Sequence, residues 1–359
     1  MTNIILIGCG AVAELLYAPA LKVLASQGLY ERILAIDRSD ARIGYIKAKL
    51  PQVETFRSLS EVESSLDRDL AVVALPHNLH AAASVEALRR GAHVLCEKPM
   101  ACTSKECALM INAAKDVGRQ LAVGHFRRFF PATQEIRRWI EREHLGRLRS
   151  FRFLEGEIYS WPAASPSFFT RESAGGGVLI DAGSHTVDLI LWWAGAIEGV
   201  QYWDDAVGGV EANCVLNLTM VSGAKGFVQM SRDWPLSNRY FFDFEDGWLL
   251  YECDRPTSFQ WGWHGENVIQ KVELLRSAGL GFDRLPKSGR DLPNFSACFE
   301  LQLRNVMSAI SGNEALMCSG DDGKKTIAFI EGCYRARQPL PQLWLPDTEQ
   351  AAIRRLVSV

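Results

Sequence analysis

The sequence predicts a doubly wound parallel α/β domain followed by a second domain built largely on an antiparallel sheet. Three observations predict it. The chain has 359 residues, a length that suits two domains. Over the first 125 residues, short apolar runs alternate with longer amphipathic stretches, the texture of strands joined by crossover helices. Beyond that point strand-like segments follow one another across turns, as in an antiparallel sheet. The boundary therefore falls near residue 125, dividing the chain into 1–125 and 126–359.

Ile4–Ile7, Ile33–Ile36, Leu70–Leu75, His93–Cys96 and Leu121–Val123 are short runs rich in apolar or β-branched residues. Continuous rather than alternating runs suit strands buried on both faces. Ala13–Gln27, Leu79–Arg90 and Ser104–Val117 carry helical patterns between them, so right-handed crossovers join a parallel sheet. In the second part Arg149–Leu154, Gly209–Val221, Lys225–Ser231, Arg239–Phe244 and Trp248–Cys253 read as strands. Thr133–Glu143 and Val178–Trp193 read as helices, and Ala297–Ser311 and Gly323–Arg337 as the closing pair. Arg255–Asn294, with its many Gly, Pro and Ser residues, reads as loop.

Composition narrows the function classes. At 48% hydrophobic and 23% charged residues, the chain is an ordinary globular protein, which excludes disorder, collagen-like repeats and a disulfide-stapled scaffold. A net charge of −3 gives no global positive field for nucleic acid or acidic lipid. Nine scattered cysteines, without metal-ligand spacing, read as small buried apolar residues in a reducing compartment. Met1-Thr-Asn runs into an apolar segment without a basic leader, and the longest apolar stretch, Leu189–Ala196, is too short to span a bilayer. The expectation is a cytoplasmic protein with no membrane partner and no metal.

The first run leads directly into Gly8-Cys9-Gly10-Ala11-Val12-Ala13, the G-x-G-x-x-G/A form of a dinucleotide fingerprint. Gly8 permits the tight turn, Gly10 lets a pyrophosphate approach the backbone, and Ala13 allows close helix packing. The helix start that follows offers free N–H groups to phosphate. Asp37 ends the second run, where a carboxylate accepts hydrogen bonds from ribose hydroxyls and repels a 2′-phosphate, favouring NAD. Arg38 beside it leaves NADP open, since a guanidinium pairs with a 2′-phosphate or stacks on adenine.

Five segments together resemble the glucose-fructose oxidoreductase / inositol 2-dehydrogenase / rhizopine catabolism (Gfo/Idh/MocA) family. They are Gly8–Ala13, Pro76-His-Asn-Leu-His80, Glu97-Lys98-Pro99, Gly175-Gly-Gly-Val-Leu-Ile-Asp181-Ala-Gly-Ser-His185 and the closing helix around Asp321–Arg337. The resemblance covers nearly the whole chain. It implies an N-terminal Rossmann domain and a C-terminal α/β domain with a large, mostly antiparallel open sheet. It implies NAD(P)-dependent oxidation or reduction of sugars and cyclitols. It also implies that Leu75, Pro76, His77, His80, Glu97 and Lys98 line the cofactor cleft, and that the chain forms a homo-oligomer, dimer or tetramer, through the C-terminal sheet. Some family members instead cleave glycosides by transient oxidation and elimination. A non-catalytic NAD sensor is a third reading, against which an intact proton relay speaks.

The residues supply chemistry of their own. Asp181 and His185 are four apart on a helical pattern, so the carboxylate is expected to fix the imidazole's tautomer and leave its other nitrogen for substrate. Lys98 precedes Pro99, which favours an extended backbone at a strand's carboxyl end. By the resemblance, the residues matching Lys98, Asp181 and His185 act on the substrate hydroxyl. Gly175–Gly177 are expected to keep the helix start clear for ligand. Arg127, Arg128, Tyr159 and Trp161 are candidate substrate contacts, because aromatic faces and a few donors suit a sugar. Trp261, Trp263 and His264 fall in the loop-like segment, and most tryptophans are expected to pack in the core. The arginines between Arg137 and Arg152 interleave with Glu135, Glu141 and Glu143, as on a solvated helix face.

Overall fold

The computed structural model describes residues 2–162, 169–253, 255–274 and 296–341, with 348, 349 and 351. The first sheet holds β1 (Ile4–Ile7), β2 (Ile33–Ile36), β3 (Glu54–Phe56), β4 (Leu70–Val73), β5 (His93–Cys96) and β6 (Leu121–Val123). All pair in parallel in the order β3-β2-β1-β4-β5-β6. Every strand except β3 is buried along its whole length, as a sheet covered on both faces requires. The connections carry α1 (Ala18–Ser26), α2 (Asp40–Lys49), α3 (His80–Arg89) and α4 (Ser104–Asp116). The strand order reverses between β1 and β4, which opens a crevice at their carboxyl ends.

The second sheet lies beyond α5 (Pro131–Glu141) and takes β7 (Leu148–Gly156) first. After α6 (Arg171–Ala174) and α7 (Gly183–Ala194) come β8 (Ile197–Asp204), β9 (Asn213–Met220), β10 (Lys225–Ser231) and β11 (Arg239–Phe244). β12 (Gly247–Glu252), β13 (Ser258–Trp263) and β14 (Gln270–Glu273) follow, then α8 (Ser296–Ile310), α9 (Gly320–Arg335) and β15 (Arg337–Pro339). The order is β14-β13-β12-β11-β7-β10-β9-β8-β15, antiparallel except for β7/β10 and β8/β15. The architecture is the one the sequence led us to expect.

Burial alternates along β9, β11 and β12, so one face of this sheet is packed and the other faces outward. The packed face is aromatic. Trp193 of α7 meets Phe153 and Phe242 edge-on at 6.1 and 5.4 Å, and Trp139 of α5 meets Phe259 and Trp261 at 5.1 and 5.2 Å.

Several elements differ from expectation. The stretch read as one helix from Ala13 opens as a π-turn, Ala13–Tyr17, before α1. The helix expected from Val178 begins only at Gly183, which leaves Asp181 in the preceding turn. α2, β3 and β8 carried no readable signal. The segment read as loop holds β13 and β14, while residues 275–294 of it lie outside the described residues. The change of sheet follows β6, yet α8 and α9 return to the first sheet. Phe299, Leu303 and Val306 join the core of Ile4, Leu6 and Leu21, and a bridge pairs Ala122 with Ser319.

Two ordered ends frame this return. Thr103 and Glu106 close a reciprocal cap on α4, and Ser319 and Asp322 close one on α9. A buried ion pair locks α7 to the turn after β6: Arg128 donates through Nε and Nη2 to Asp188 at 2.8 and 2.7 Å. With side chains only 4% and 1% exposed, the pair is fully desolvated. Arg128→Ala strands the carboxylate and is expected to cost about 3–5 kcal/mol in urea unfolding; a loss below about 1 kcal/mol would show that Asp188 finds another partner.

Candidate active site

The glycine loop is shaped by a steric constraint. Gly8 has φ +95°, and a Cβ there would lie 2.4 Å from the Ala74 carbonyl oxygen, so only glycine fits. Asp37 ties the loop to the end of β2. Its Oδ2 accepts the Cys9 N–H and its Oδ1 the Ser39 N–H, each at 2.8 Å. A Cβ on Gly10 would meet nothing within 4 Å, so the outer face of the loop is bare. The first helical bond runs from Glu14 N–H to the Gly10 carbonyl, and the earlier N–H groups of the helix have no intrahelical acceptor. This bare, donor-lined cradle with a carboxylate at the neighbouring strand fits a dinucleotide. Arg38 is exposed beside it.

The floor of the crevice is held from below. Glu97, at the end of β5 and buried, accepts from Tyr17 Oη at 2.7 Å and from the Lys98 N–H at 3.1 Å. Burial pushes its carboxyl above the ordinary value, with Tyr17 and Lys98 opposing. Gln302 of α8 donates to Tyr17 Oη at 3.2 Å. Thus Glu97 works through Tyr17 and the backbone. His80 places its two ring nitrogens 2.8 Å from the Pro99 and Leu75 carbonyls, which joins the two motifs at the crevice. His77 sets Nδ1 at 3.1 Å from the Ala174 carbonyl.

Lys98 and Asp181 meet across the crevice. Lys98 Nζ donates to Asp181 Oδ1 at 2.9 Å and to the Asp181 carbonyl at 3.2 Å. Burial pushes the Asp181 carboxyl up, but the Lys98 ammonium and His77 outweigh it and hold the group below its ordinary value. The expected contact from Asp181 to His185 is absent, because Asp181 lies in the turn before α7 rather than on its face. His185 instead packs edge-on against Phe126 and His125, with ring centroids 4.8 and 5.7 Å away. Its Nδ1 is buried and has no hydrogen-bond partner. Burial, then the charges of Lys98 and Arg127, push its pKa well below the usual value, so the imidazole is neutral.

The turn that presents Asp181 is clamped by Glu211, a residue the sequence did not mark. Its carboxylate accepts the N–H groups of Gly177 and Leu179 at 2.9 and 3.0 Å, and the Tyr334 hydroxyl at 2.7 Å. The triple glycine serves this clamp. A Cβ on Gly177 would lie 1.9 Å from the Glu211 carbonyl, and one on Gly176 would lie 2.1 Å from Tyr334 Oη. The glycines are thus required by packing, whereas the sequence suggested clearance for ligand.

Arg127 does not reach outward as a substrate contact would. Its Nη1 donates to Glu155 at 3.0 Å and to Tyr240 Oη at 3.2 Å, and Thr186 Oγ1 donates to the same carboxylate at 2.8 Å. Trp161 is half-buried against the apolar cluster of the first helix. Tyr159 has a buried hydroxyl without a partner. Trp261 and Trp263 pack on one another at 5.5 Å, and His264 rests on the Phe244 carbonyl at 3.1 Å. His125, Asp188 and Cys318 bring three potential metal ligands within 4.8 Å, but the Arg128 guanidinium already occupies Asp188 and would repel a cation.

Residues 2–125 match a family model described as an oxidoreductase family with an NAD-binding Rossmann fold. Residues 133–250 match the GFO/IDH/MocA C-terminal domain. The chain is 34% identical over 138 residues to levoglucosan dehydrogenase of Pseudarthrobacter phenanthrenivorans, covering 37% of this chain and 35% of that one. It is 26% identical over 345 residues to scyllo-inositol 2-dehydrogenase (NADP(+)) of Bacillus subtilis, covering 92% of each. Several curated relatives are matched over only 35% to 58% of their own length. A structure of levoglucosan dehydrogenase in complex with NADH and levoglucosan superposes with a TM-score of 0.78 at 20% identity, covering 93% of this chain and 98% of that one.

Burial pushes His93 and His125 down to about 4. The unfolded chain therefore takes up protons near pH 6.5 that the folded protein refuses, and stability falls as pH drops from about 6.5 towards 4. Urea unfolding at pH 5 should show a loss of roughly 3–4 kcal/mol relative to pH 7.5, and His93→Gln should remove part of the difference. A flat profile would mean that these rings are already charged in the fold.

Proposed function

Because the chain belongs to the Gfo/Idh/MocA oxidoreductase family, we propose that it is an NAD-dependent dehydrogenase of a secondary alcohol in a sugar, cyclitol or modified sugar. The Lys98–Asp181 pair beside a neutral, unpartnered His185 carries this reading. The substrate class draws on the names of its relatives, levoglucosan dehydrogenase and scyllo-inositol 2-dehydrogenase. These are dehydrogenases, and neither the glycosidase nor the sensor alternative gains support from them. Residues 1–125 would bind the cofactor and 126–359 the substrate. Nine free thiols, most of them buried, fit a reducing, cytoplasmic setting.

Bound NAD supplies the two-electron acceptor at its nicotinamide. The chain supplies position and proton management. Two of the three Lys98 N–H donors are spent on Asp181, which aims the third at a substrate oxygen. Asp181 fixes the ammonium in place. His185, neutral because it is buried, is in the state that accepts the hydroxyl proton. Tyr17, through Glu97, keeps the Lys98 backbone at the crevice. For NADP use, Arg38 is the group placed to meet a 2′-phosphate.

The outward face of the second sheet carries a shallow groove of about 740 Å³ between Arg152, Gln201, Asn217, Phe227 and Phe241. Two or four copies would associate through this face. Phe241→Glu should lower the mass seen by light scattering to that of the single chain; an unchanged mass would move the interface elsewhere.

Lys98→Met and His185→Ala should each lower kcat by about 10²–10⁴-fold, read as nicotinamide absorbance with sugars and cyclitols. NADH affinity, read by fluorescence titration, should change by less than about threefold. Turnover that survives both substitutions would remove these residues from the reaction.

A further inference from the structure

Arg232 follows β10 directly, at the end of the strand that pairs with β7 and β9. Its backbone is held: the carbonyl accepts the Tyr159 N–H at 2.7 Å, and the N–H donates to the Ala212 carbonyl at 3.0 Å. Its guanidinium is not. Among the described residues it makes no hydrogen bond, and Nη1 is buried without a partner. The Phe169 ring lies 5.4 Å from its Cζ, a contact that offers no acceptor to the N–H groups. Tyr159 packs edge-on against the same Phe169 ring at 5.2 Å, and its buried hydroxyl is also unpartnered. A buried donor left unmade is costly, a charged one most of all. Two on one aromatic ring point to an acceptor that arrives from outside.

The acceptor belongs beside the reacting groups. The Arg232 backbone N–H binds the Ala212 carbonyl, next to the Glu211 that clamps the turn carrying Asp181, and the Arg232 charge acts on both Asp181 and the Tyr159 hydroxyl. Nearby cations are already matched: Lys98 by Asp181 and Arg127 by Glu155. Asp233, the next residue, is occupied by Ser231 and Asn213. One unmatched positive charge beside the Asp181 carboxylate suits a monoanion better than a phosphate dianion, whose second charge Asp181 would repel.

We infer that Arg232 and Tyr159 form a carboxylate subsite, so that the preferred substrate is a sugar acid or a carboxylated cyclitol. One carboxylate oxygen would accept from Arg232 Nη1 and the other from Tyr159 Oη, a charge-assisted arrangement that fixes orientation as well as affinity. The inference rests on the dehydrogenase reading, because it takes Lys98, Asp181 and His185 as the reacting groups.

The test sets acids against their neutral partners: glucuronate with glucose, galacturonate with galactose, gluconate with glucitol, and quinate with myo-inositol. Each is titrated by calorimetry into protein with NADH and assayed for turnover with NAD. At least one acid should bind ten or more times tighter than its partner. Arg232→Gln should reduce that ratio at least tenfold, Tyr159→Phe severalfold, and Arg232→Lys should restore part of it. No acid preferred over its partner, or a preference that survives Arg232→Gln in a protein with wild-type melting, overturns the subsite. Glucose 6-phosphate bound as tightly as the acids overturns the choice of carboxylate. Acid binding that depends on Arg232 without turnover on any pair leaves the subsite standing and removes the dehydrogenase reading.

Discussion

The bond from Lys98 to Asp181 joins residues 83 apart in sequence, one at the end of a parallel strand and the other in a turn of the second domain. The crevice is built around that meeting. On one side, Glu97 binds the Lys98 N–H and the Tyr17 hydroxyl, and His80 holds the Pro99 carbonyl. On the other, Glu211 fixes the turn that carries Asp181. With side chains 19% and 18% exposed, the pair is neither a solvated surface bridge nor fully buried. Its attraction is therefore substantial while water can still be displaced by substrate.

Beneath the crevice, two adjacent arginines turn to different carboxylates. Arg127 takes Glu155, and Arg128 takes Asp188. The first pair is shared with Thr186 and Tyr240, so every strong charge below the site has its counter-charge within hydrogen-bond reach. His185 sits among them without one. Burial and the charges of Lys98 and Arg127 act in the same direction on its ring, and its neutrality at neutral pH follows from the packing of α7.

The sequence was most legible where burial was uniform. β1, β2, β5, β6, β10 and β11 occupy the residues read for them, since a run buried on both faces or a clean alternation leaves little ambiguity. Signals failed at edges. β3 and β14 are short and bury no residue fully, and α2 buries only Ile43 and Ile46, too few for a helical stripe. Val178, Leu179 and Ile180 are buried like a helix yet form a turn, which hydropathy cannot distinguish from the helix after it. That ambiguity is why the sequence places Asp181 on a helix face, although the residue itself stands out. Arg232, Glu211 and Tyr17 carry no motif. Their roles depend on partners 32 or more residues away, or on a partner's absence.

The return of α8 and α9 to the first sheet has a consequence for how the molecule is made. Phe299, Leu303 and Gln302 complete the surroundings of Tyr17 and the first helix, so the nucleotide half is unfinished until α8 has left the ribosome. The inner strands of the second sheet are all made before α8, but its edge strand β15 follows α9 and pairs with β8. Both sheets therefore wait for the same stretch of chain: the first for α8 and α9, the second for β15.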